Sequence, residues 1–294
     1  MGAAAALASS AMWALTSVLL TSQTGRLRPL VMSAIRSFTA SVVLIALLVG
    51  TAGVGQFRDM TLITGVSMAA SGILGQGLGD TLYINALRLL GVTRSFPITN
   101  SAYPFLTFLL AVLLLGEDVS LTLPIGGALI VAGITWIVVE QRSDAASAGV
   151  TVELARGVTF AIAAAAAWSL ATVLLRGQQG NLDAVGAASL RIPAASLAVM
   201  TTVAVTMNGE APLRAVTRRS IAIVALAGVL GTGAGSVLFI YAVEHLGAAR
   251  TAFLTTSAPV FALPMGMVFL SERLTPRMAL GTVVTIAGIW LVLL

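Results

Sequence analysis

The chain has no cysteine, no lysine and a single histidine, and only 9% of its 294 residues are charged. The missing cysteines exclude disulfides, thiolate catalysis and cysteine-based metal sites together. The one histidine, His245, falls at the end of an apolar run. Neither a nucleophile–base pair nor a set of metal ligands is legible, so an enzyme, a metal site and a cofactor all lack a sequence basis. The scarcity of charge is as informative. A soluble domain carries about a quarter charged residues, so most of this surface does not face water. What fills the chain instead is apolar: 58% of residues, with a mean hydropathy of +1.01. All sixteen basic residues are arginine, the net charge is +5 and the pI is about 10.9. In a soluble protein that pI points to nucleic acid. Here the arginines sit singly or in small groups at the ends of apolar runs, as orientation signals and headgroup contacts do. Lipid is the expected partner, and nucleic acid is not.

The apolar runs are long enough to cross a hydrocarbon core, which takes roughly 20 helical residues. Ten spans are predicted, at about 3–22, 30–50, 60–88, 94–116, 120–139, 157–176, 184–206, 219–244, 250–271 and 276–294. Gln141–Glu153 is small, polar and aperiodic, and reads as a linker. The first span has the small residues of a signal peptide at Ala6–Ser10 but no basic flank. It also has a partner in mid-chain, since SSAMWALTSVLL resembles AAAAWSLATVLL at Ala164–Leu175. A repeated element belongs to the fold.

The repetition is general. Residues 72–91 read GILGQGLGDTLYINALRLLG and residues 228–247 read GVLGTGAGSVLFIYAVEHLG, with five glycines in identical spacing. At offsets of 155 or 156, Trp13 pairs with Trp168, Arg36 with Arg191, Pro104 with Pro259, Glu117 with Glu272 and Gly133 with Gly288. The predicted organisation is therefore a five-helix half over 1–140, a linker over 141–155 and a second half over 156–294. Five is odd, so the second half enters the membrane from the opposite side. The expected fold is an all-α membrane protein of ten transmembrane helices in two inverted five-helix repeats. Such repeats characterise secondary transporters with a site near mid-membrane, although channels also use them. For orientation, the turns after spans 1, 3, 5, 7 and 9 hold most of the arginines, while the other turns hold Arg58, Arg176 and Arg250. Arginine bias places the first set in the cytoplasm and both termini outside.

The order of these landmarks resembles the drug/metabolite transporter superfamily, and its EamA-like family in particular. The resemblance rests on a tryptophan in spans 1 and 6, an arginine early in spans 2 and 7, and LIALLV after IRSF. It also rests on YPFLTFLLAVLLLGE (Tyr103–Glu117), APVFALPMGMVFLSERLT (Ala258–Thr275) and the paired glycines Gly126–Gly133 and Gly281–Gly288. It covers nearly the whole chain. It implies export of small metabolites, such as amino acids, across the cell membrane. It also implies cytoplasmic termini, against the arginine count.

Asp80 is the sharpest candidate. It lies deep in span 3 opposite its repeat mate Ser236, and a carboxylate at such depth marks a functional position by default. It offers a contact to a substrate amine or a coupling proton; the alternative is a structural ion pair with an arginine. Arg36 and Arg191 suit a carboxylate or phosphate if they face a cavity, or else snorkel to the interface. The glycines of spans 3 and 8 either allow close packing or break the helix and expose backbone to a ligand. Pro97, Pro104, Pro259 and Pro264 are expected to kink spans 4 and 9. Polar residues cluster there: Thr99, Asn100, Ser101 and Tyr103, mirrored by Thr255, Thr256 and Ser257. Facing inward they make a binding surface; otherwise they bond their own helix. Trp13, Trp168, Gln76, Tyr83, Asn85 and Tyr241 are further candidates to line the cavity. Glu117 and Glu272 read as structural carboxylates beside helix starts, and His245 as a solvated loop residue.

These readings converge on a secondary active transporter of small polar or amphipathic solutes, working by alternating access with protons or a counter-substrate as partner. A passive channel and an exchanger of anionic metabolites are the alternatives.

Overall fold

A computed structural model describes the chain except residues 24–25, 52, 91, 119, 141–150, 207–216, 259 and 262–275. Apart from short connecting turns, the described residues are helical and contain no strand. The helices are α1 (Gly2–Thr21), α2 (Pro29–Gly50), α3 (Leu62–Gly72), α4 (Asp80–Leu90), α5 (Val92–Leu110), α6 (Thr122–Glu140), α7 (Thr151–Gln178), α8 (Ala184–Thr206), α9 (Arg218–Ala227), α10 (Ser236–Leu246), α11 (Ala248–Thr255) and α12 (Pro276–Leu293). Three π-helical turns join or extend them: Ile73–Gly79 between α3 and α4, Ala111–Leu115 after α5, and Gly228–Gly235 between α9 and α10.

Six helical stretches are long and apolar enough to cross a membrane: Leu30–Gly50, Leu62–Tyr83, Ile98–Leu115, Ala155–Gln178, Ala184–Thr206 and Arg218–Leu246. Three shorter apolar helices accompany them, Gly2–Thr16, Thr122–Trp136 and Leu280–Leu293. This is a multi-pass helical membrane protein. Its outer surface agrees, since Leu62, Leu113, Leu197 and Trp290 are each more than 60% exposed, an arrangement suited to lipid. The ninth predicted span starts as α11 and then passes out of the described residues, together with Pro259, Pro264 and Glu272. Helix α5 continues through Pro104. His245 is not a loop residue. It lies in the last turn of α10, stacked on Tyr241 with ring centroids 4.0 Å apart.

The turns sort to two ends. At one end Gly2 abuts His245 and Leu246, and Arg176 Nη1 donates to Glu244 O at 3.1 Å. The Asp183 amide there donates to Gln56 Oε1 at 3.0 Å. At the other end Gly157 abuts Leu89 and Leu90, and Leu27 and Met32 pack on Val224. Helix α1 therefore begins at the end where α7 finishes. Glu117 is structural, but not at the helix that follows it. Its carboxylate accepts the amides of Ala248 (2.7 Å) and Ala249 (3.2 Å), capping α11. The turn it grips needs Gly247 at φ 85°, a left-handed value that only glycine adopts freely.

Helices α6 and α12 meet glycine to glycine. A Cβ added at Gly288 would lie 2.6 Å from Gly126 O, and one at Gly126 would lie 2.8 Å from Gly288 O. Such contact replaces the hydrophobic drive that lipid does not supply. Gly288→Val should therefore destabilise the protein by about 1–3 kcal/mol through overpacking, read as a drop of several degrees in Tm in detergent. Gly50→Ala, with nothing within 4 Å of the new methyl, should leave Tm unchanged.

Candidate functional site

The doubled glycine segments form the two π turns in the middle of the long rods α3–α4 and α9–α10. Of the alternatives for these glycines, close packing is the one that the contacts display. A Cβ at Gly228 would lie 2.6 Å from Arg36 O, and one at Gly72 would collide with Arg191 O. Each rod thus lies backbone to backbone against the arginine-bearing helix of the other half of the chain. Within each π turn a carbonyl faces outward and takes a tryptophan. Trp13 Nε1 donates to Gly231 O at 3.1 Å, and Trp168 Nε1 donates to Gly75 O at 3.0 Å. The partners of each bond exchange at the repeat offset, so the two bonds are reciprocal. Their ring neighbours are reciprocal too: Trp13 lies 5.5 Å from Phe239, and Trp168 lies 5.3 Å from Tyr83. π turns of this kind often mark functional positions in helices.

Asp80 closes the first π turn. Its backbone amide returns to Gly75 O, and its Oδ1 accepts the same Trp168 N–H at 3.1 Å. Trp168 is thus shared between a carbonyl and a carboxylate five residues apart. Arg36 lies within electrostatic reach of Asp80 and donates from Nη2 to Thr232 Oγ1 at 3.2 Å. Gln76 donates from Nε2 to Ser236 Oγ at 3.1 Å. Gln76 and Thr232 are repeat mates, as are Asp80 and Ser236. Four mated positions therefore gather on the seam between the halves, with carboxylate and amide on one side and hydroxyls on the other.

Arg191 does not snorkel. It is 95% buried and donates from Nε to Ser71 Oγ at 3.1 Å, while Ser71 donates onward to Ala171 O. Arg36 is part-buried. Both arginines stand inside the bundle. Tyr103 shares this region. Its hydroxyl pairs with Thr172 Oγ1 at 3.1 Å, and its ring meets Trp168 edge-on at 6.2 Å.

The remaining candidates divide. Asn100 and Ser101 are part-buried on α5. Thr256 and Ser257 are buried beyond α11, with hydroxyls donating back to Phe253 O and Leu254 O at 2.6 Å. Ser257 also meets Ser10 at 3.5 Å. Asn85 donates to Thr81 O in its own helix. Tyr241 stacks on His245, toward the end of the bundle. Sequence reasoning missed Ser9, Ser10, Ser71, Thr107, Ser169 and Thr172, all buried hydroxyls at helix crossings. Ser9 Oγ donates to Gly235 O at 2.8 Å, and Ser169 Oγ to Tyr103 O at 3.0 Å. Among the described residues no three histidines or carboxylates gather as metal ligands. Two cavities, of about 410 and 110 Å³, lie at the end that holds Gly2. The larger is lined by Glu117, Arg176, His245 and Arg250, and neither reaches the Asp80 group.

A helical bundle that crosses the membrane repeatedly, with charge gathered at a seam between matched halves, is the frame of a membrane transporter. Residues 1–139 and 155–294 both match the EamA-like transporter family, and the chain belongs to that family. An uncharacterized transporter of Archaeoglobus fulgidus is 28% identical over 233 residues, covering 79% of this chain and 77% of the relative. An uncharacterized protein of Pseudomonas aeruginosa is 29% identical over 187 residues, 64% of this chain and 60% of its own length. A solved crystal structure 19% identical in sequence superposes with a TM-score of 0.81, covering 99% of this chain and 95% of that one. At that identity the likeness is one of fold.

The shared indole bond generates a prediction. Trp168→Phe removes a donor from both Gly75 O and Asp80, and should cost about 1.5–3 kcal/mol, as expected for a bond to a charged group. Trp13→Phe, which removes a donor from the uncharged carbonyl of Gly231, should cost about 0.5–1.5 kcal/mol. Thermal unfolding in detergent reads the difference, and equal losses would contradict it.

Proposed function

We propose that this protein is a secondary active transporter that carries a small polar or amphipathic solute, of the amino-acid kind, out of the cell by alternating access. In this reading residues 1–140 and 156–294 are inverted five-helix repeats joined by 141–155, and the chain sits in the cell membrane. The observation that carries the reading is the reciprocal exchange of tryptophan contacts across the seam. Two halves related in this way can interchange conformations, and the interchange opens a central site to alternate sides. The opposite directions of α1 and α7 support inversion.

The site in this proposal is the group around Asp80: Gln76, Tyr83, Arg36 and Trp168, with Trp13 in the mated position. In this reading Tyr103, Asn100 and Ser101 on α5, Arg191 on α8, and Thr256 and Ser257 beyond α11 belong to the same site. Tyr241 is the outlying member. Asp80 is the single carboxylate of the group, and it serves as the contact for a solute amine or as the proton carrier. Its proximity to Arg36 balances its charge when the site is empty.

Flux in proteoliposomes tests both parts. A carrier should show saturable counterflow stimulated from the far side; a channel would show none. In Asp80→Asn, pH-driven uptake should be abolished while solute exchange persists. The sign follows from the chemistry: the amide neither binds nor releases a proton, so an imposed gradient no longer drives the cycle. Unchanged pH dependence would remove the coupling role.

A further inference from the structure

Buried polar atoms are nearly always hydrogen-bonded, and each exception asks for a cause. Among the described residues three buried side-chain atoms have no partner: Gln23 Oε1, Arg36 Nε and Gln76 Oε1. Gln23 lies in the turn after α1. The other two both belong to the group around Asp80.

Their placement is complementary. Gln76 uses its amide nitrogen on Ser236 and leaves its oxygen unmet. Arg36 uses Nη2 on Thr232 and leaves Nε unmet. Thr232 and Ser236 are one turn apart on the same rod, so an acceptor and a donor without partners flank one short stretch of it. Asp80, four residues beyond Gln76, opposes the charge of Arg36. With Asp80 ionised, its charge and that of Arg36 cancel, so a singly charged guest would add an uncompensated charge at depth.

We propose that Arg36 Nε and Gln76 Oε1 are the hydrogen-bonding contacts of the solute. The solute they fit has no net charge and presents an oxygen acceptor beside an N–H donor, as a carboxamide or an amino-acid zwitterion does. The inference rests on the transport reading above and adds the residues that select the solute. It also gives the solute a mechanical role. When the centre packs together empty, both groups lose water and gain nothing, so a guest that pairs them favours the packed state.

The test is thermal unfolding of the purified full chain with four three-carbon probes at tens of millimolar. Alanine and propionamide offer both functions, propionate only the acceptor and propylammonium only the donor. Alanine, propionamide or both should raise Tm by about 2 °C, and which of them does so distinguishes the zwitterion from the carboxamide. The two charged probes should do nothing. Gln76→Met should abolish the response. Gln76→Glu, which makes the group net negative, should transfer it to propylammonium. An equal response to the charged probes, no response to any probe, or an unaltered response in Gln76→Met would each overturn the proposal. The transport reading depends on flux and is untouched by those outcomes.

Discussion

Two indole N–H groups, Trp13 on Gly231 O and Trp168 on Gly75 O, tie each half of the chain into the π turn of the other. A hydrocarbon environment supplies no water to satisfy backbone groups. A π turn re-spaces the carbonyls of a helix, and in this bundle one carbonyl of each turn also accepts a donor from across the seam. The glycines make the approach possible, since the helix bearing each arginine lies where a Cβ would otherwise stand. Bond, turn and glycine therefore depend on one another. The seam they build is the place where a conformational exchange between halves would be felt first.

Against that symmetric frame the chemistry is one-sided. The first half presents Gln76 and Asp80 where the second presents Thr232 and Ser236. The two arginines also differ. Arg36 opposes a carboxylate, whereas Arg191 is fixed by the hydroxyl of Ser71 at a helix crossing. The spacing of landmarks is thus duplicated while polarity is not. In the functional reading, the frame supplies two exchangeable states and the asymmetry supplies one solute site. The outward faces of α6 and α12, with Trp136 and Trp290 exposed, serve the bilayer instead.

The membrane class and the helix positions were legible because apolar run length and glycine spacing are strong, local signals. The repeat offsets alone single out Trp13, Trp168, Arg36 and Arg191. What the offsets could not give was depth and direction. Arg191 was as consistent with snorkelling as with burial, because sequence spacing says nothing of which helix face meets a neighbour. Local spacing points Glu117 to the nearest helix start, while its partner lies about 130 residues away in α11. The buried serines and threonines escaped notice because small residues in a span read as filler. Their signal was present, since Ser9 and Ser10 stand where the other half has Ala164 and Ala165.

Alternating access requires the two halves to exchange conformations about the seam. The absence of cysteine makes this directly measurable, because spin labels can be introduced without background. One pair at Asp118 and Glu244 reports the end that holds Gly2, and one at Arg26 and Arg218 reports the opposite end. Pulsed electron–electron distances in nanodiscs, recorded across a pH series and with transported solute, should show one pair lengthening as the other shortens. Distances that stay fixed, or that lengthen together at both ends, would contradict alternating access.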